Sequence, residues 1–444
     1  MDGLTYRRKI VNWVDRLTED YANTQAVGLW IAAIFTGCAA VSYARIFKII
    51  ERYTDQYEMT NPQYLFFVSP VLMLLAWWIV YKFAPGASGS GIPQVMAAID
   101  TDYSGTNVKF VDRLLSLKTI VVKVASSLLC VAAGGAIGRE GPTLQISASI
   151  FHLVGKGVRK YFPNSDEQTW VIAGAAAGLA SAFNTPLGGI VYAIEELGMH
   201  HFHRVRTALL SAVIISGLVA QAVIGSYLYL GYPQVDEVTM QQWSIILLSG
   251  IVSGLAGGIF NRMLYFLSSK RRAICNQRML GFIAIFCGFF IALLVLFQPE
   301  AQGSGTELIS NILFKDHVAT TGITLSRFFG TAIAYLSGAA GGIFSPSLSI
   351  GASIGSLMAS LFHIGNSNLF VLLGMIGFLT GVTHTPFTSF ILVMEMSNHH
   401  SAIFPMMFTA LIANSVAKSV KSKSFYESVK EDLLRNGTEP SPAR

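Results

Sequence analysis

Apolar residues dominate this chain in long uncharged stretches. No Asp, Glu, Lys or Arg interrupts Ala26–Ala44, Tyr64–Tyr81, Trp170–Ile194, Thr207–Val235 or Met279–Pro299, and none occurs from Phe328 to Met394. Most of these stretches are near or above the ~20 residues that take a helix across a bilayer. Irregular backbone facing lipid would leave peptide groups unsatisfied, so the elements are expected to be almost all helical. Many segments are nevertheless too short or too rich in glycine to cross alone. They predict half-helices meeting near the membrane midplane. Residues 5–21 are amphipathic and mixed in charge, which predicts an interfacial helix rather than a signal peptide.

The second feature is a duplication. GREGPTLQISASI at residues 138–150 recurs as GIFSPSLSIGASI at 342–354, sharing Gly138/Gly342, Pro142/Pro346, Leu144/Leu348, Ile146/Ile350 and Ala148-Ser149-Ile150/Ala352-Ser353-Ile354. GSG at Gly89–Gly91 recurs at Gly303–Gly305, and Thr185-Pro186 with Glu195 recurs as Thr385-Pro386 with Glu395. Chance does not keep three markers in order at offsets of 214, 204 and 200 residues. Repeats whose hydrophobic segments break at matching positions point to a transport site at the repeat interface. The expected organisation is an interfacial helix at 1–24, a first repeat at 25–227, a connecting loop at 228–242, a second repeat at 243–424 and a tail at 425–444.

Composition supports the membrane assignment: 52% of the 444 residues are hydrophobic, 13% are charged, and the mean hydropathy is +0.52. The net charge of +6 reads as a positive-inside bias, not as a nucleic-acid surface. Basic residues gather at Arg7-Arg8-Lys9, Lys156/Arg159/Lys160, Lys270-Arg271-Arg272 and Lys418/Lys421/Lys423, which places both termini in the cytoplasm. Little chain follows Arg435, so no cytoplasmic regulatory domain is expected. No GxxxxGK[ST] loop suggests ATP driving. Cys38, Cys130, Cys275 and Cys287 read as small core residues, and the histidines near predicted helix ends (His200, His201, His203, His399, His400) as interfacial groups without metal-site spacing.

The breaks carry the chemistry. In Gly89-Ser90-Gly91-Ile92-Pro93 the glycines allow positive φ and close backbone approach, and Pro93 suits a first helical turn. Gly138-Arg139-Glu140-Gly141-Pro142 and Gly342-Ile343-Phe344-Ser345-Pro346 share that design. Each predicts a helix N-terminus inside the membrane, and several such ends aimed at one point make an anion site. Any one motif alone is explained by tight helix packing; three together favour the anion site. Glu140 stands at one of these N-termini, where its carboxylate competes for the N–H groups an anion would use. Helix dipoles and burial act on it in opposite senses, so it is suited to gate the site and carry a proton. Thr185-Pro186 predicts an N-cap and first turn, with Gly198 as the stop. Glu196 lies about 15 Å beyond Pro186 at helical rise, near a water-facing end, as a proton access point or an ordinary solvated helix end. Glu395 reads as a structural or helix-end carboxylate.

GSGIP at 89–93, GREGP at 138–142 and GIFSP at 342–346 resemble, in order, the three signature motifs of the CLC family of chloride channels and chloride/proton antiporters, and the resemblance covers nearly the whole chain. It implies an all-α polytopic membrane protein with a CLC-type inverted repeat of tilted, partly broken helices. It also implies a homodimer with one anion pathway per subunit, no cofactor, with chloride ions bound as substrate, and a bacterial inner-membrane location. Carried onto matching positions, it gives Ser90 a hydroxyl contact with chloride and makes Ile343 and Phe344 backbone donors. Tyr426, in KSFY, looks like the source of a second hydroxyl. Glu140 looks like the external gating glutamate and Glu196 like the internal proton-transfer glutamate. Ser90 favours chloride, because nitrate-preferring relatives tend to have Pro there and fluoride-exporting relatives depart from the GSGIP and GREGP patterns. Ser345 departs from the small residue often found in GxFxP.

The expected function is electrogenic chloride/proton exchange, with a passive chloride channel of the same fold as the alternative. Gly86-Ala87-Ser88-Gly89 also fits the GxSG of rhomboid-type intramembrane proteases, with His384 as a conceivable base, but this leaves GREGP and the duplication unexplained. A cation-coupled carrier fits poorly, since cation sites favour carbonyls and acids over clustered helix N-termini.

Overall fold

The computed structural model describes residues 3–60, 62–101, 103, 107–160, 166–197, 202–225, 228–236 and 238–438. The first repeat comprises α1 (Gly3–Thr60), α2 (Leu65–Phe83), α3 (Ile92–Asp100), α4 (Asn107–Leu114), α5 (Leu117–Ala132), α6 (Glu140–Arg159), α7 (Glu167–Phe183), α8 (Pro186–Tyr192, prolonged by a π turn at Ala193–Leu197) and α9 (Phe202–Ile224). The second comprises α10 (Gln242–Arg272), α11 (Gln277–Phe297), α12 (Thr306–Phe314), α13 (Thr321–Leu336), α14 (Phe344–Leu361), α15 (Asn368–Thr383), α16 (Pro386–Ser397) and α17 (Ile403–Val420), followed by α18 (Phe425–Thr438). Among the described residues β structure is limited to two isolated bridges. Helix α1 runs from Gly3 to Thr60 without a break, so its backbone has no boundary at residue 24. Gly198, His200, His201 and residues 439–444 lie outside the described residues.

Seven described segments are long and apolar enough to cross a membrane, among them Ala26–Gln56, Val205–Val223, Gln242–Arg272 and Ile403–Val420. Their large apolar side chains, such as Trp30, Phe35, Phe282 and Phe404, point outward, as a lipid solvent requires. Helices α7 and α15 behave differently. Nearly every residue of each is buried, including Gly174, Gly178, Gly374 and Gly377. A helix that is apolar all round belongs in the interior of a large protein or a membrane core, and these two form the centre of their repeats. Each ends on a non-glycine residue in the left-handed region, Asn184 (φ 56°) and His384 (φ 58°), and then turns into Thr-Pro at the start of α8 and α16. Cys130 and Cys287 are buried, whereas Cys38 and Cys275 are exposed, so only the first pair are core residues.

The repeats meet through equivalent residues. Gly138 and Gly342 exchange two backbone hydrogen bonds, each N–H to the other's carbonyl at 2.8 Å, in antiparallel sense. Helices α8 and α16 pack together, as do α2 and α11. Contact between like elements, in opposite directions, is what a two-fold relation between the halves produces.

Candidate functional site

Three helix starts converge at the Gly138–Gly342 stitch. Helix α3 begins after Gly91, whose φ of 97° is open to glycine at little cost and turns the chain sharply into Ile92-Pro93. Helix α6 begins at Glu140 and α14 at Phe344, each with proline in its first turn. A Cβ on Gly141 would lie 2.5 Å from Ser90 Oγ, and one on Gly342 would lie 3.2 Å from the Gly141 nitrogen. The starts of α3, α6 and α14 are therefore packed within a few ångströms of one another. Their first N–H groups have no intrahelical acceptor, so the cluster concentrates partial positive charge at a point inside the protein.

Ile343 and Phe344 are buried at the start of α14, and Phe344 packs on Phe183 with ring centroids 5.3 Å apart. Ser90 is 1% exposed. Tyr426 reaches it from the start of α18, held by Phe425, which itself stacks edge-on against Tyr335 at 5.3 Å. Neither the Ser90 nor the Tyr426 hydroxyl makes a hydrogen bond of normal geometry to another group among the described residues. Two buried hydroxyls beside free helix amides form a donor set suited to an anion, since leaving them unmatched costs about 1–3 kcal/mol each.

Glu140 is fully buried. Its Oε1 accepts a hydrogen bond from the Tyr229 hydroxyl at 3.3 Å. Its Oε2 lies so close to Gly138 that a Cβ there would stand 2.4 Å from it and 2.9 Å from Ser345 Cβ. The carboxylate thus leans over the starts of both α6 and α14. The neighbouring Arg139 donates from Nη1 to the Ala44 carbonyl of α1 at 2.9 Å.

Glu195 and Glu196 occupy different environments in the π turn. Glu195 accepts the backbone N–H groups of Phe387 (3.2 Å) and Thr388 (2.7 Å) and the Thr388 hydroxyl (2.7 Å). Glu196 has a buried Oε1 with no protein hydrogen-bond partner among the described residues. Tyr192, fully buried, lies within electrostatic reach of both Glu196 and Tyr426. Glu395 accepts from Leu187 N (3.1 Å) and Gly188 N (2.8 Å). Thr185 and Thr385 stand at the expected N-cap positions, yet neither side chain caps. The carboxylates from the opposite repeat do so instead.

Two buried cations organise the GSG turns. Lys123 Nζ donates to the Gly89 carbonyl at 2.9 Å. Arg327 donates to Gly303 O (3.3 Å), Glu300 O (3.0 Å) and Ser349 Oγ (2.9 Å), and also to the Gln302 carbonyl. Lys123 and Arg327 are 204 residues apart, the same offset as Gly138 and Gly342, and that register is the signal in the sequence that marks them. Tyr229 has no such signal. It lies in the connection between the repeats and folds back so that its ring meets Phe183 edge-on at 5.1 Å. Ser88 donates to the Gly338 carbonyl at 3.1 Å, an acceptor that cannot serve as a base, so the GxSG motif is a turn and not a nucleophile.

The fold and this cluster define a polytopic helical membrane protein of the transporter class, built on two repeats with broken helices meeting at a central site. The chain matches the voltage gated chloride channel family over residues 71–418. It is 30% identical over 386 residues to the H(+)/Cl(-) exchange transporter ClcA of Vibrio parahaemolyticus serotype O3:K6 (strain RIMD 2210633), covering 83% of this chain and 79% of that one. Its fold superposes on that of a slow cyanobacterial Cl-/H+ antiporter with a TM-score of 0.83 at 24% identity, covering 94% of this chain and 99% of the other. It also superposes on a CLC-type fluoride/proton antiporter with a TM-score of 0.74 at 23% identity, covering 91% and 96%. This protein belongs to the voltage gated chloride channel family, and is a multi-pass transporter rather than an enzyme.

Proposed function

We infer that this protein exchanges chloride for protons. The observation that carries the reading is the position of Glu140. It is the first residue of α6, fully buried, with its carboxylate over the starts of two helices that supply the anion donors. When ionised, this side chain competes with chloride for the same N–H groups. When protonated, it loses that attraction and releases the site. Chloride is held by the Ser90 and Tyr426 hydroxyls and the Ile343 and Phe344 amides, partial charges that bind an anion without trapping it as a buried full charge would. Glu196 passes protons between Glu140 and the opposite side of the membrane.

Relatives named as H(+)/Cl(-) exchangers support this reading. We place the protein in a bacterial inner membrane, with both termini cytoplasmic, as a homodimer in which each subunit has its own pathway. The test is a liposome assay with a chloride gradient, no pH gradient, and voltage clamped by potassium and valinomycin. Uphill proton movement driven by chloride establishes exchange. Chloride flux without protons makes the protein a channel, and no anion flux removes the site reading altogether.

A further inference from the structure

A cavity of about 960 Å³ opens beside residues 48–55 of α1, with Lys48, Arg52, Asp55, Glu300, Glu307 and Lys315 around Glu51 on its walls. These α1 residues end the spanning segment Ala26–Gln56, so the cavity lies at the face opposite the α1 N-terminus. Arg45, near that end of α1, donates to the Val223 carbonyl at the end of α9. Helix α9 therefore starts at the other face, and Glu196, just before it, lies on that side. The cavity and Glu196 thus belong to opposite faces.

From the cavity inward runs an unbroken series of side-chain contacts. Glu51 Oε1 is 2.8 Å from Ser304 Oγ and also accepts the Ser304 N–H at 2.6 Å. Ser304 Oγ is 2.8 Å from Thr306 Oγ1. Thr306 Oγ1 is 3.4 Å from the Tyr229 hydroxyl, which is 3.3 Å from Glu140 Oε1. Ser345 Oγ, 3.0 Å from the same hydroxyl, is a side branch. Arg327, within electrostatic reach of Glu51 and Asp55, holds the Gly303 turn that presents Ser304. Every link between the two carboxylates is a hydroxyl, and a hydroxyl can accept one proton while giving up another.

Resting on the exchange reading above, we propose that Glu51, Ser304, Thr306 and Tyr229 form a proton relay that connects the cavity to Glu140. A proton taken up by Glu51 from cavity water reverses its bond to Ser304, which turns its own proton to Thr306. Thr306 passes one to Tyr229, and Tyr229 passes one to Glu140 Oε1. Glu51 ends ionised, Glu140 ends protonated, and each hydroxyl keeps one proton. The three hydroxyls then rotate back before the next transfer. Ser304 is the counterpart of Ser90 in the duplicated GSG, so the two copies serve the two ions: one faces the anion donors and the other the proton path.

The test measures proton and chloride flux together, on full-length protein in liposomes, for Tyr229→Phe, Thr306→Val, Glu51→Gln and Glu51→Asp. Tyr229→Phe keeps the ring on Phe183, and Thr306→Val keeps the shape of the side chain. The expected result is a fall of roughly ten-fold or more in protons moved per chloride for the first three, a conservative figure beside the roughly 10²–10⁴-fold that a positioned proton carrier contributes. Glu51→Asp, which retains a carboxyl, is expected to restore part of it. An unchanged ratio in Tyr229→Phe and Thr306→Val overturns the relay. So does an equal fall in both fluxes, which marks a structural role. Wild-type protein and Glu140→Gln are run beside them: wild-type chloride flux without protons fails the exchange reading itself, whereas coupled wild type, loss of protons in Glu140→Gln and unchanged coupling in the relay variants reject the relay alone.

Discussion

Glu195 and Glu395 each sit on the N-terminus of the helix that carries the other. Glu195, in the π turn that extends α8, binds the first amides of α16, and Glu395, on α16, binds the first amides of α8. Both are charge-assisted bonds at helix starts, where carboxylates also gain from the helix dipole.

Replacing either residue with Gln removes the charge but little volume. Bonds to charged groups are worth ~1.5–3 kcal/mol each in net terms, so both variants should melt at lower temperature in detergent. Glu196→Gln should show the reverse pattern, with the melting temperature kept and proton coupling lost. A thermal shift in Glu196→Gln but none in Glu195→Gln rules out this division of roles between the adjacent acids.

Glu140→Gln should abolish proton movement while chloride flux continues, measured by pH and chloride electrodes on the same vesicles. Glutamine keeps the size of the side chain but cannot deliver a titratable proton. Persistent proton pumping in this variant removes Glu140 from the mechanism.

Gly141→Ala places a methyl group 2.5 Å from Ser90 Oγ and 2.8 Å from Ser90 O. Relieving that overlap costs about 1–3 kcal/mol, and where the displaced Ser90 hydroxyl loses that much against the bound anion, chloride affinity by calorimetry falls roughly five- to 150-fold. Gly157 on the same helix has open space around it, and Gly157→Ala should bind chloride normally. Equal affinities for the two variants would show that Ser90 is not part of the anion site.

Lys123 bonds one carbonyl, whereas Arg327 bonds three carbonyls and a hydroxyl. Replacement by Met leaves those buried acceptors unmatched, at about 1–3 kcal/mol each. Arg327→Met should therefore lower the unfolding temperature more than Lys123→Met. The opposite order would contradict the assignment of Arg327 as the clamp of the Gly303 turn.

The helix starts at Ile92, Glu140 and Phe344 were legible because glycine and proline fix backbone geometry locally, and the duplication showed which of them belong together. The N-cap positions of Thr185 and Thr385 were legible for the same reason, but not that carboxylates 200 residues away do the capping. Such partners depend on the packing of α8 against α16, which no local pattern records. Tyr229 is the clearest case. Its neighbours in sequence read as a polar connection, and only the return of that segment against Phe183 brings its hydroxyl to Glu140. Glu51 was hidden in the same way, within a helix whose spanning role explains it sufficiently. Lys123 and Arg327 were readable in principle from their shared register.

The mutual pairing of Gly138 and Gly342 also bears on how the molecule is made. A ribosome releases Gly138 some two hundred residues before Gly342, and Tyr426 later still. Until then the start of α6 lacks its partner, and Ser90 lacks its companion hydroxyl. The early chain can thread its helices into the bilayer, but it has no site to leak through. With chloride held at the proposed site, ion permeability would be postponed until the second repeat has been inserted and closed against the first.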